Sequence, residues 1–303
     1  MKQSKLADST SGMHCALHHG GAVPQRCANE SERAAAKHEF LHCLPHGTRE
    51  YTYQGKAAMA RAIRDEGIQF MEDKTGSKSQ FIVFSSVPQA LLQQDSDLRF
   101  VDYHIYLQIL VIKMPAASHE EASARLNLCL VSRLLQWGIQ NDLHLLGATT
   151  VHGSQRDKCP DRSYRPVNLP PNRSTHWPTL VVETGYSESG PKLSEDAAWW
   201  LNESNGDVQI VITIKIERKS RKLILDRWER VARLTRRNPV RNAIVQRVTV
   251  YPTQERPARV VGGPLILPFS KIFLRNPVGQ EGDFTFSDNE LIENLANSVW
   301  SVM

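Results

Sequence analysis

A mixed α/β fold, with a central sheet flanked by helices in the order α-β-β-β-α-β, is what this sequence predicts. Three observations carry the prediction. Two stretches, "TLVVETG" (179–185) and "DVQIVITIKIE" (207–217), are apolar and β-branched, as buried strands require. Between them "KLSEDAAWWLNES" (192–204) has helical periodicity, with Ser194 near its start and Gly206 just past its end. Ahead of them "SHEEASARLNLCLVSRLLQWG" (118–138) reads as a capped amphipathic helix: Ser118 as N-cap, Glu121 completing a capping box, Gly138 at C′, and an apolar stripe of Leu126, Leu130, Leu134 and Trp137. Strands joined through a helix tend to run parallel and strands joined by short loops antiparallel, so the sheet should be mixed.

The remaining elements fall in order around this centre. Residues 1–55 mix Ser, Gly, His and Gln and read as a disordered His-rich leader, with one short helical piece at "SERAAAKHEFLHCL". Its Cys15, His18, His19, Cys27, His38, His42, Cys43 and His46 raise the question of zinc, but no Cys-x-x-Cys occurs and the spacing fixes no ligand set. Residues 56–96 hold a helix within "GKAAMARAIRDEGIQFMED" (55–73) and the apolar strand "FIVFSSV" (81–87). The core proper spans 97–217. It starts with one or two strands in "RFVDYHIYLQILVIKMP" (99–115), and adds strands at "DLHLLGATTVHG" (142–153) and "PDRSYRP" (160–166) to the elements above. Residues 218–303 form a basic segment and an extension. "KLILDRWERV" suits either a strand or a helix start, "QRVTVYP" and "LILPFSKIFLR" suit strands, and "SDNELIENLANSVW" suits a closing helix.

With 303 residues, 41% hydrophobic and 23% charged, the chain can bury a sizeable core. No apolar run reaches the roughly 18 residues of a membrane helix. The start "MKQSKLADSTSG" lacks the apolar centre of a secretory signal, and five irregularly spaced cysteines suit free thiols in a reducing compartment. These features predict an intracellular protein, in cytoplasm or nucleus, without membrane contact.

The net charge of +5 is uneven: from Lys215 to Arg247 twelve Lys/Arg face three acids, a local net of +9. Arg218, Lys219, Arg221, Lys222, Arg236 and Arg237 are therefore candidates for docking a phosphate backbone, since the guanidinium fork matches phosphate oxygens. A solvated basic face explains the same composition.

Three acids stand out on this skeleton. Glu120 lies in the first turn of the 118–138 helix, Asp161 opens the second strand, and Glu183 ends an apolar strand, where a carboxylate needs a partner or solvent. Neighbouring strands lie about 4.8 Å apart, so acids at matching heights can share one ion of the kind that assists phosphodiester cleavage. Simple helix-terminal charge complementarity competes for Glu120, and a turn residue after Pro160 for Asp161.

The pieces "MPAASHEEA", "KCPDRSYRP", and "PTLVVETGYSES" followed by "LSEDAAWWL" resemble the restriction-endonuclease-like superfamily named for its PD-(D/E)XK motif, over about residues 97–217. Within it they look like a fungal group related to bacterial families of predicted restriction endonucleases, and "LILPFSKIFLR…NELIENLANSVW" is similar to that group as well. The resemblance implies a nuclease in which Asp161 and Glu183 are the motif acids and Glu120 completes the shell of a Mg²⁺ or Mn²⁺ ion. It also exposes a departure: the motif lysine would fall at position 185, which is Gly. Lys215, alternating with Ile214 and Ile216 on the next strand, is the preferred replacement, with Lys192 second. Asp196 is a further candidate for the metal or its surroundings, or else a helix-start acid; His119 is a candidate base or phosphate contact, or else a helix-start residue. Trp199 and Trp200 suit base stacking or, at helical spacing, core packing. The leading expectation is a metal-dependent nuclease acting on DNA or RNA. The alternatives are an inactive nuclease-like module that binds nucleic acid and a protein–protein module.

Overall fold

The computed structural model describes residues 29–73, 75–94, 98, 100–114, 116–186, 189–232, 240–252 and 257–303. The chain order is α1 (Glu30–Leu41), β1 (Arg49–Thr52), α2 (Lys56–Glu72), β2 (Phe81–Ser85), α3 (Gln89–Gln94), β3 (Asp102–His104), β4 (Ile109–Lys113), α4 (Ala117–Trp137) and β5 (Leu143–Leu145). There follow β6 (Val151–His152), β7 (Arg156–Lys158), β8 (Arg162–Pro166), β9 (Leu180–Tyr186), α5 (Gly190–Glu203), β10 (Ile210–Ile216), β11 (Leu223–Ala232) and β12 (Val240–Tyr251). The C-terminal part adds β13 (Arg259–Val261), β14 (Leu265–Leu267), α6 (Phe269–Phe273), β15 (Phe284–Phe286), α7 (Asp288–Glu290), a π-helical stretch Leu291–Ala296 and α8 (Asn297–Ser301).

The strands form a six-stranded sheet, β1-β2-β4-β3-β7-β6, a seven-stranded sheet, β13-β12-β11-β10-β9-β8-β5, and the pair β14-β15. The fold is mixed α/β, as expected. β9 and β10 run parallel because α5 connects them, and β8 and β9 run antiparallel through a loop. Every residue of β9 is buried, which requires a layer on each face. On one face Leu126, Leu130 and Leu134 of α4 pack with Val182, Ile212 and the C-terminal helices, each leucine contributing about 1.5–3 kcal/mol of burial. On the other, Trp199, Trp200 and Leu201 of α5 pack with Val181 and Val211.

Several expectations need correcting. Structure begins by Asn29, not after residue 55: α1 carries the Asn29–Glu32 capping box and β1 pairs with β2 in parallel. The N-cap of α4 is Ala116 rather than Ser118, because the Ser118 hydroxyl is buried against the Tyr186 hydroxyl at 2.8 Å, and Glu121 pairs with Arg125 at 2.6 Å instead of closing a box. "DLHLLGATTVHG" is not one strand; it supplies β5 to one sheet and β6 to the other. That excursion through β6 and β7 interrupts the expected unbroken α-β-β-β run. In "LILPFSKIFLR", Pro268 ends β14 and starts α6. "KLILDRWERV" is the strand β11. Cys15, His18, His19 and Cys27 lie outside the described residues, and Cys43 is a buried core thiol.

Candidate active site

The antiparallel register of β8 and β9 sets Arg162 opposite Val182 and Ser163 opposite Val181. The paired ladder ends at Arg162, with Pro160 and Asp161 just before the strand. Proline has no N–H to give, so the ladder stops there and the Thr184 carbonyl is left for another donor. Side chains complete it. The Thr184 N–H donates to Asp161 Oδ2 at 2.6 Å, and the Thr184 carbonyl accepts from Lys113 Nζ at 3.1 Å and lies 3.0 Å from His119 Nε2. Lys113 also donates to both Asp161 oxygens, at 2.7 and 2.8 Å, and His119 Nε2 lies 3.1 Å from Oδ2. Burial opposes ionisation of Asp161, but Lys113 and His119 outweigh it and hold the carboxyl well below the usual carboxylate range. Burial opposes charge on His119 too, and the adjacent Asp161 raises its pKa in spite of that.

Glu183 alternates to the α5 face of β9. It is 2% exposed, and Trp200 Nε1 donates to its Oε1 at 2.7 Å. Burial, with Asp161 and Asp196 adding to it, pushes its carboxyl up to about 7 from an ordinary 4.5. The native state therefore binds a proton that the unfolded chain has lost at pH 5–6.5, and stability falls as pH rises through that window. The slope is about 1.4 kcal/mol per pH unit, or about 2 kcal/mol over the window. His119 adds its own loss only above its ordinary 6.5, because its native pKa is raised. Replacing Glu183 with Gln keeps the oxygen that Trp200 uses and should flatten stability between pH 5 and 6.5 in denaturant titrations. An unchanged slope would refute the assignment.

Gly185 sits in close quarters. A Cβ at Gly185 would meet Ser189 at 3.2 Å and Leu193 at 3.4 Å, because the first turn of α5 packs directly onto β9. Lys215 is the register partner of Gly185 and shares the strand face of Glu183, but its nearest acid is Glu217, at 3.9 Å. Lys192 is 2% exposed and bonds to Asp196, and to Asp102 at 3.0 Å. Those two acids also take Lys158, at 3.3 Å from Asp102, while Arg156 Nε bonds to Asp102 at 3.0 Å. This buried network of two acids and three bases joins β3 and β7 to α5. The lysine that does reach Asp161, Lys113, arrives from the other sheet.

Glu120 is the outlying acid. Its side chain is 57% exposed and 3.4 Å from His119 Nδ1, which lowers its pKa. Glu120, His119, Lys113, Asp161, Arg162 and Cys159, together with Leu98 and Leu146, line a cleft of about 620 Å³. Among the described residues, no three or more His, Cys, Asp or Glu side chains are grouped to hold a metal. The chemistry of the donor set still suits a hard cation. Lys113 Nζ bonds to the two Asp161 oxygens and the Thr184 carbonyl, hard oxygens of the kind Mg²⁺ takes, and Mg²⁺ needs only one or two carboxylates besides water and substrate.

The basic stretch is less free than its composition suggests. Arg218 stacks on Phe70 and Tyr186 at 4.3 and 4.2 Å, Arg221 donates to the Trp300 carbonyl at 2.7 Å, and Lys222 lies 5.4 Å over the Tyr251 ring. Lys219 is exposed at the β10–β11 turn, and Arg236 and Arg237 lie outside the described residues. Two contributions escaped the sequence reading. Lys113 carried no local signal, and Trp199 and Trp200 fill the core as packing spacing suggests, yet Trp200 also orients Glu183.

No family profile matches the chain, and no curated protein does. Among solved structures, a protein from Anabaena variabilis ATCC 29413 described as a "putative nuclease belonging to DUF820" aligns with a TM-score of 0.38 and 13% identity, covering 69% of this chain and 98% of that one. A score that low carries no inference about this chain.

Proposed function

We propose that the chain is a nuclease-like enzyme that hydrolyses nucleic-acid phosphodiester bonds with a divalent ion held by Asp161, Glu183 and the Thr184 carbonyl. The observation that supports it is the convergence of one cation, Lys113, on Asp161 and Thr184 at the end of the β8–β9 ladder. Bound there, Mg²⁺ or Mn²⁺ would activate the attacking water and neutralise charge on the phosphate. The chain's own groups do the rest. Asp161 keeps its charge through the neutral range, and Glu183, poised near 7, releases its proton as positive charge arrives. Lys113, moved off Asp161, takes the part of the absent position-185 lysine and offers an ammonium to charge growing on the phosphate. Water adds to phosphorus, one bridging P–O bond breaks, and that oxygen leaves with a proton as a hydroxyl.

One observation favours a second reading, an inert module that binds nucleic acid: Lys113 already neutralises Asp161. The experiment is cleavage of single- and double-stranded DNA and RNA in Mg²⁺ or Mn²⁺ by the native chain and by an Asp161→Ala, Glu183→Ala double variant. Cleavage by the native chain alone is expected. Equal activity in both, or none in either, removes the hydrolytic reading.

A further inference from the structure

Three basic side chains line the Asp161 cleft, and two of them are spoken for: Lys113 and His119 are both on Asp161. The third, Arg162, is different. Among the described residues it has no acid and no hydrogen-bond acceptor, and its Nε is buried without a partner. A buried guanidinium N–H left unpaired costs free energy, because desolvation is not repaid. Other arginines with a buried, unpaired N–H are engaged elsewhere: Arg165 donates to the Thr175 carbonyl, Arg227 to the Ile266 carbonyl, and Arg218 stacks on Phe70 and Tyr186. Arg162 is kept in its half-buried place by the β8 backbone, whose register with Val182 sets it beside Asp161 at the cleft.

We propose that Arg162 is the anion-binding residue of this cleft, and that its ligand is a phosphate of a single-stranded nucleic acid. The planar fork of a guanidinium pairs with two phosphate oxygens at once, and a desolvated one does so more strongly. The shape of the cleft selects the strandedness. At about 620 Å³ it lies in the size range of small-ligand pockets, a space suited to one or two unpaired nucleotides. Its half-buried Leu98 and Leu146 give an unpaired base apolar surface to lie against. The ligand class rests on the phosphodiester reading, but binding requires neither a metal nor turnover.

The test is fluorescence anisotropy in EDTA with a labelled oligo(dT) strand and the same strand as a duplex, at several salt concentrations, with inorganic phosphate as competitor. The native chain should bind the single strand more tightly than the duplex, and phosphate should displace it. Arg162→Gln should weaken single-strand binding about tenfold and reduce the salt slope by about 0.7, the share of one phosphate contact. Arg162→Lys should keep part of the affinity, whereas Arg64→Gln, at an exposed position of α2 outside the cleft lining, should leave binding to the cleft unchanged. Since Arg162 has no partner to lose, its thermal midpoint should not move, and Arg162→Lys serves if the Gln variant misfolds. No binding by the native chain, a preference for duplex, or an Arg162→Gln variant with native affinity and slope overturns the inference. Binding that survives while cleavage is absent would remove the hydrolytic reading alone.

Discussion

Replacing Asp102 with Ala is expected to cost the fold about 3–5 kcal/mol. Asp102 is fully buried and receives Arg156, Lys158 and Lys192, while Asp196 shares the two lysines. Burial opposes its ionisation, and the three cations override this, so its carboxyl stays far below the usual range. Removing it leaves Lys158 and Lys192 on Asp196 alone and Arg156 with only Glu195, at 3.8 Å, and poorly compensated buried charge is what makes such deletions costly. Urea denaturation followed by tryptophan fluorescence measures the loss directly, because Trp199 lies beneath Lys158 with its ring centre 5.6 Å from Nζ. A loss below about 1 kcal/mol would mean that the network is solvated and the two sheets are not tied through it.

Lys113→Met should have the largest effect on chemistry. An ammonium aimed at developing phosphate charge is worth about 10²–10³ in rate when removed, so cleavage should fall by that factor. Binding should move the other way. Lys113 competes with any divalent ion for the Asp161 oxygens and the Thr184 carbonyl, so its removal should tighten Mn²⁺ binding. The variant should be less stable without metal and recover stability as Mn²⁺ is added, since a ligand bound only to the native state stabilises it. Rate and metal affinity moving in opposite directions separates this role from simple damage to the fold, which would lower both.

The sequence discloses much of the frame, and the reason is local. β9 and β10 are apolar over whole strands, α4 ends on Gly138 in the left-handed region at φ 74°, and the Ser287–Glu290 capping box starts the last helical segment, so each is legible from adjacent residues. The six-stranded sheet is harder to see, because β3 and β7 carry Asp102 and Lys158 at buried positions and so lack the apolar signature of a central strand. The site divides in the same way. Asp161 and Glu183 are recognisable from motif and strand end. Lys113 is not: its partners Asp161 and Thr184 lie 48 and 71 residues further along, and only the meeting of two sheets brings them together. The basic run after Lys215 misleads for a related reason. Composition counts its arginines but does not reveal that Arg218 is stacked between Phe70 and Tyr186, or that Arg247 is paired with Asp226 at 2.6 Å.

The hydrolytic and inert readings part at one event, the displacement of Lys113 from Asp161 by a divalent ion. Titration of Mn²⁺ into the native chain and into Asp161→Asn, followed by the electron paramagnetic resonance of the free ion, observes that event without turnover. One bound ion per native chain, lost in Asp161→Asn and tightened in Lys113→Met, is the predicted result. A native chain that binds no Mn²⁺, or binds it equally after Asp161→Asn, contradicts the account.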